Sequence, residues 1–104
     1  MIRITFFKSG DLFTGFESKG HSGTAESGSD IVCAFVSSAC YMAANTVTEI
    51  IKAKADAFQE DGYMRLKVKE SPNRVQDIFC GMHLHLSELQ KEYPENIKVI
   101  ITEE

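Results

Sequence analysis

Cysteine is scarce and unpaired in this chain: Cys33, Cys40 and Cys80 make an odd number with no Cys-x-x-Cys spacing. That pattern argues against a disulfide framework and a standard zinc ribbon, and free thiols suit a reducing compartment. No basic segment followed by a long apolar stretch opens the chain. Met1 runs directly into the alternating IRITFFK, which is unlike a secretory leader. No apolar segment reads as approaching the roughly 20 residues that cross a bilayer. Basic charge is also in deficit, with eleven Lys and Arg against fifteen Asp and Glu and a formal net charge of −4. A negative chain opposes long-range attraction to phosphate backbones, so a basic peptide is the easier partner. The expectations are a cytoplasmic protein, no membrane and no direct nucleic-acid partner.

What is present is enough for one core. A chain of 104 residues with 43% hydrophobic and 25% charged content has ordinary globular composition and the length of one domain. Residues 2 to 8 set Ile2, Ile4 and Phe6 against Arg3 and Thr5, which predicts a strand. Ser9, Gly10 and Asp11 supply a turn. A second strand over residues 12 to 18 places Leu12, Thr14 and Phe16 on one face, opposite Phe13, Gly15 and Glu17. Residues 20 to 29 read as a glycine-rich polar loop.

From Asp30 to about Lys54 the residues Val32, Val36, Ala39, Ala43, Val47 and Ile50 recur at three- and four-residue steps, the signature of a long, largely buried helix. Ser29 or Asp30 is the expected cap of its first turn. A hairpin over residues 57 to 69 turns at Gly62. A second helix over about 74 to 93 carries Val75, Ile78, Phe79, Met82, Leu86 and Leu89 and stops at Pro94. A closing strand spans 97 to 102. The order ββαββαβ, with neither linker nor repeat, predicts an α+β fold: a mixed or antiparallel sheet packed with two helices.

The chemistry concentrates in GHSGTAESGSDIVC, residues 20 to 33. With Asp30 near the cap, Cys33 falls in the first helical turn, where unpaired N–H groups and the helix dipole favour an anion. An ordinary thiol is about 3% ionised at neutral pH, and lowering its pKa by two units makes it mostly thiolate. His21 stands twelve positions upstream, across a flexible loop that a scaffold can fold back at modest entropic cost. An imidazole there can take the thiol proton and return it to a leaving amine, while free N–H groups near Cys33 can hold an oxyanion. On general grounds a helical cysteine among Ile31, Val32 and Phe35 is also read as a small core residue, and His21 as an exposed loop residue.

The wider pattern GHSGTAESGSDIVCAFVSS resembles the signature of the ribosomal-processing cysteine protease family Prp: GHA, a glycine-containing loop, then GxDIVCAxVS. Gly20, His21, Gly23, Ala25, Gly28, Asp30, Ile31, Val32, Cys33, Ala34, Val36 and Ser37 match. The resemblance implies a single cysteine-protease domain over residues 1–104, with Cys33 as nucleophile and His21 as general base. It also implies removal of the N-terminal extension of a large-subunit ribosomal protein precursor, cut after an aromatic residue. Gly20, Ser22, Gly23 and Gly28 would belong to a mobile substrate loop, and the protein would be a homodimer. Asp30 either orients His21 or caps the helix, and Ser37 either bonds the thiolate or back-bonds to the helix. Ser22 replaces the family's usual Ala, and Thr24 and Ser27 stand where bulkier loop residues are common, which bears on substrate choice rather than proton transfer.

Other constellations are poorer. Cys80 and His83 share a helical face, but zinc needs three or four ligands. Neither metal nor cofactor is expected. Cys40 lies about 10 Å along the helix from Cys33, too far for a disulfide, and reads as core together with Cys80. Arg65, Lys67 and Lys69 read as a solvated face, with Tyr63 the only aromatic nearby in the sequence. The rival reading is a noncatalytic module that binds a ribosomal or other basic peptide.

Overall fold

The computed structural model describes the backbone of residues 1–20 and 27–104 and the side chains of residues 1–20 and 31–104. Its elements are β1 (Ile2–Ser9), β2 (Leu12–Lys19), α1 (Ser27–Asn45), β3 (Ala55–Glu60), β4 (Tyr63–Val68), α2 (Gln76–Glu92) and β5 (Ile97–Glu103). The expected ββαββαβ order and α+β class are both found. The strands form one mixed sheet in the order β3-β4-β2-β1-β5. β5 runs parallel to β1, with Ile2 opposite Ile97, and every other pairing is antiparallel.

The core lies between one face of this sheet and the two helices. Ile2, Ile4 and Phe6 of β1, Phe16 of β2 and Leu66 of β4 meet Val32, Val36 and Ala43 of α1 and Phe79, Met82 and Leu86 of α2. Phe16 meets Phe79 edge-on at 6.2 Å between centroids, a preferred aromatic geometry. Burial of each such side chain contributes about 1.5–3 kcal/mol.

β2 departs from the expected alternation. Phe13, Gly15 and Phe16 are buried and Leu12 is exposed. The register shifts between Phe7 and Lys8, which pair with Gly15 and Phe13, so Thr14 is the extra residue of a β-bulge. A bulge resets the face on which later side chains emerge. Phe13 loses regular ladder bonding there, and the Gln76 side chain replaces it. Gln76 accepts from the Phe13 N–H at 2.8 Å and donates to the Phe13 carbonyl at 2.8 Å.

α1 also differs from its expected bounds. It begins at Ser27, so Ser29 and Asp30 lie inside it rather than capping it, and Gly28 is its second residue rather than part of a loop. It ends at Asn45 in a π-turn over Thr46–Ile50, closed by the Ile51 N–H donating to the Thr46 carbonyl at 2.8 Å. The span Ile31–Ile50 has mean hydropathy 1.5 over 20 residues, long and apolar enough by composition to cross a bilayer, contrary to the sequence expectation. Val32, Val36, Cys40, Ala43 and Val47 nevertheless pack one side of it into the core, as in the central helix of a globular domain.

Candidate active site

The C-terminal end of β2, the β3–β4 turn and the middle of α1 surround a cleft of roughly 490 Å³. Helical periodicity aims Cys33, Ser37, Cys40 and Tyr41 toward it, and Ser18, Gln59, Asp61 and Met64 face them. Cys33 is half-buried: it touches the core yet lines the cleft, so its sulfur is not sealed in hydrocarbon. Ser37 is exposed one turn further along. The Gln59 side-chain amide donates to the Tyr41 hydroxyl, joining β3 to α1 at the cleft.

Gly20 forms the rim. Its φ is +101°, and a Cβ there would stand 2.5 Å from the Met1 carbonyl oxygen, so only glycine fits. Its N–H donates to the Gly62 carbonyl at 2.9 Å. This bond fixes the end of β2 against the β3–β4 turn, where Gly62 itself takes φ +73°.

The other two thiols differ sharply. Cys40 is buried on the cleft floor, and desolvation pushes its pKa up to about 12, an increase that a hydrogen bond with Ser18 reduces. It stays a neutral thiol near neutral pH. Cys80 is exposed on α2, not in the core as expected from the helical stripe. His83 packs edge-on against Phe6 at 5.1 Å. Among the described residues, no three His, Cys, Asp or Glu side chains gather as a metal cluster.

The helix boundary changes the account of Cys33. As the seventh residue of α1 it stands beyond the first turn, and the orphan N–H groups belong to the first four residues. The dipole effect fades over that same turn, and the Cys33 N–H sits within the intrahelical ladder rather than being available to an oxyanion. His21, Ser22 and Gly23 lie outside the described residues, as does the side chain of Asp30. The structure therefore brings together Cys33, Ser37 and Gly20. Tyr41, Gln59, Asp61 and Met64 were missed in the sequence reading. Tyr41 carried a signal, falling eight residues after Cys33 on one helical face; the other three arrive through strand pairing, which leaves no local trace.

A half-buried cysteine thus stands on the wall of an open cleft, mounted on the central helix of an α+β sandwich, with its sulfur accessible to a bound substrate. Residues 1–98 match the family model described as cysteine protease Prp. The ribosomal processing cysteine protease Prp of Bacillus subtilis is 30% identical, over 95% of this chain and 96% of that protein. The crystal structure of SMU.848 from Streptococcus mutans superposes with a TM-score of 0.83 at 28% identity, covering 100% of this chain and 96% of the other. The ribosomal processing protease Prp from S. aureus in complex with a substrate peptide shares the fold, with a TM-score of 0.87 at 24% identity over 98% and 100% of the two chains. The chain belongs to the Prp family of ribosomal processing cysteine proteases, and it is a cysteine protease.

Proposed function

We propose that this protein is a cytoplasmic endopeptidase that removes the N-terminal extension of a large-subunit ribosomal protein precursor, with Cys33 as nucleophile and His21 as general base. The observation that carries the reading is the position of Cys33 on a cleft whose rim is Gly20. His21 follows Gly20 directly in the sequence. The acidic Glu60 and Asp61 also line the cleft and suit a basic ribosomal peptide by charge.

In the reaction, His21 takes the proton of the Cys33 thiol as the sulfur attacks the scissile carbonyl carbon. The tetrahedral intermediate collapses, the C–N bond breaks, and the imidazolium delivers its proton to the departing amine. A water molecule, deprotonated by His21, then attacks the thioester and releases the carboxylate product and the Cys33 thiol. Ser37 and Asp30 stand as supporting groups for the thiolate and the imidazole. Gly20, with Ser22 and Gly23 after it in the chain, belongs to the segment that meets the peptide, while Gly28 lies in α1.

A homodimer fits the other side of α1. Phe35, Ala39 and Met42 border an apolar groove with Ile78 and Leu89 of α2, and Met42 is 54% exposed and Ile50 76% exposed. An apolar surface of that kind suits a second copy of the chain rather than solvent.

Intact-mass measurement after incubation with the precursor tests the catalytic assignment. Wild type should convert it to two fragments, while Cys33→Ala and His21→Ala should leave it whole and remain folded by circular dichroism. A precursor that binds wild type but is never cut would instead establish a noncatalytic peptide-binding module.

A further inference from the structure

Both helices cover one face of the sheet, and no described element covers the other. The register sets out what that bare face displays. Arg3, Lys19 and Tyr63 fall in one cross-strand row, Glu17, Arg65 and Phe58 in the next, and Phe7 and Lys67 in the third. Lys98 follows beside Arg3 on β5. Adding Lys69, which meets Asp56 at 3.6 Å, the face carries six of the eleven basic residues of the chain. Only four of its fifteen acidic residues, Glu17, Asp56, Glu60 and Glu104, lie there. A chain that is negative overall is therefore positive on this face.

The acidic groups are largely engaged. Glu104 pairs with Lys67 and Asp56 with Lys69, and Glu17 accepts the Tyr63 hydroxyl proton at 2.6 Å. Arg3, Lys19, Arg65 and Lys98 take part in no ion pair among the described residues. Aromatic rings lie between these cations. Phe58 is 49% exposed and meets Tyr63 at 5.9 Å. Lys19 stands 6.0 Å over the Tyr63 ring. Lys67 reaches 4.5 Å from the Phe7 ring across Gly15, which has no side chain to obstruct it. The expectation of no direct nucleic-acid contact rests on net charge and on Tyr63 being the only aromatic near the basic run. The fold removes the second ground by delivering Phe58 and Phe7 from neighbouring strands.

We propose that this uncovered sheet face is a docking surface for single-stranded nucleic acid, with phosphates met by Arg3, Lys19, Arg65 and Lys98 and bases stacked on Phe58 and its neighbouring rings. Flat aromatic faces set among cations that make no ion pair within the described residues match a strand of alternating bases and phosphates. An acidic peptide would use the charges but has no need of the rings. The surface is separate from the Cys33 cleft at Arg65, Phe58 and Lys98, none of which lines that cleft.

The test is fluorescence anisotropy with a labelled twelve-nucleotide oligouridylate and the full chain. Four phosphate contacts predict a fall in affinity of about 50-fold between 50 and 200 mM salt. Phe58→Ala should weaken binding at least about fivefold, and the double charge reversal Arg65→Glu with Lys98→Glu should weaken it at least about tenfold. Lys91→Glu, on α2, should leave it unchanged. All substituted side chains are exposed, and melting curves confirm that each variant is folded. No binding by wild type, binding insensitive to salt, or equal losses in Lys91→Glu would overturn the proposal. So would equal affinity for a labelled polyglutamate peptide, or a change from dimer to monomer on Arg65 and Lys98 reversal, which would assign the face to a protein partner.

Discussion

Gly20 and Gly62 are joined backbone to backbone at 2.9 Å, and this bond sets the rim of the cleft. It anchors the residue before His21 to the turn that carries Asp61. Gly20→Ala should disturb it, because the new Cβ would meet the Met1 carbonyl at 2.5 Å with φ at +101°. The expected cost is about 1–3 kcal/mol of stability, with peptide cleavage falling in the same variant. Urea unfolding and a cleavage assay check both, and an unchanged midpoint would show that the rim yields without strain.

The three thiols should separate by accessibility. Cys80 is exposed, Cys33 half-buried and Cys40 buried. In a Cys80→Ser background, a neutral-pH alkylating agent should add one label to the native protein, at Cys33, and a second only after denaturation. Peptide mapping reads the sites. Rapid native labelling of Cys40 would contradict its place on the cleft floor.

Stability should fall in strong alkali through Cys40. Its folded pKa is raised to about 12 from an ordinary 9.0, so the neutral thiol is favoured in the folded state. Its contribution is complete below about pH 9 and is lost as pH rises toward 12. Over the window the loss is on the order of a few kcal/mol. Cys40→Ala should be less stable at neutral pH but show a shallower decline between pH 9 and 12. Parallel slopes for the two proteins would refute the linkage. Tyr63, held above its ordinary value by the Glu17 carboxylate that accepts its proton, titrates in both proteins and cancels from the comparison.

Gln76 bridges the bulge in β2 to the start of α2 through both polar groups of Phe13. Gln76→Ala leaves a part-buried N–H and carbonyl without that partner and should cost about 2 kcal/mol. Gln76→Glu keeps an acceptor but loses the donor, so it should fall between wild type and Gln76→Ala. Chemical denaturation ranks the three.

The apolar outer side of α1 and α2 should hold the proposed dimer. Met42→Lys places a charge in the groove shared with Phe35 and Leu89 and should convert dimer to monomer in sedimentation velocity while the monomer stays folded. A mass unaffected by this change would place the dimer contact elsewhere.

Much of this structure was legible along the chain because its information is local. β1 alternates cleanly, and Val75, Phe79, Met82 and Leu86 keep helical period, so both elements appear where the pattern puts them. Phe13 was assigned to the wrong face because a bulge is a property of two strands in register. α1 began earlier than expected because its apolar stripe starts at Ile31 and polar residues precede it inside the helix. Cys80 was misplaced because it flanks the stripe one residue after Phe79. At the site, Cys33 and Ser37 were singled out by the resemblance of the stretch around them, while the first-turn position expected of Cys33 was lost to the earlier start of α1. The wall formed by Gln59, Asp61 and Met64 was not legible, since only pairing of β4 with β2 carries it there.

The pairing of Ile2 with Ile97 also constrains how the protein is made. One flank of β1 waits for a strand encoded some 95 positions later, so a nascent chain emerging from the ribosome holds an open hydrogen-bonding edge until nearly all of this stretch has been translated.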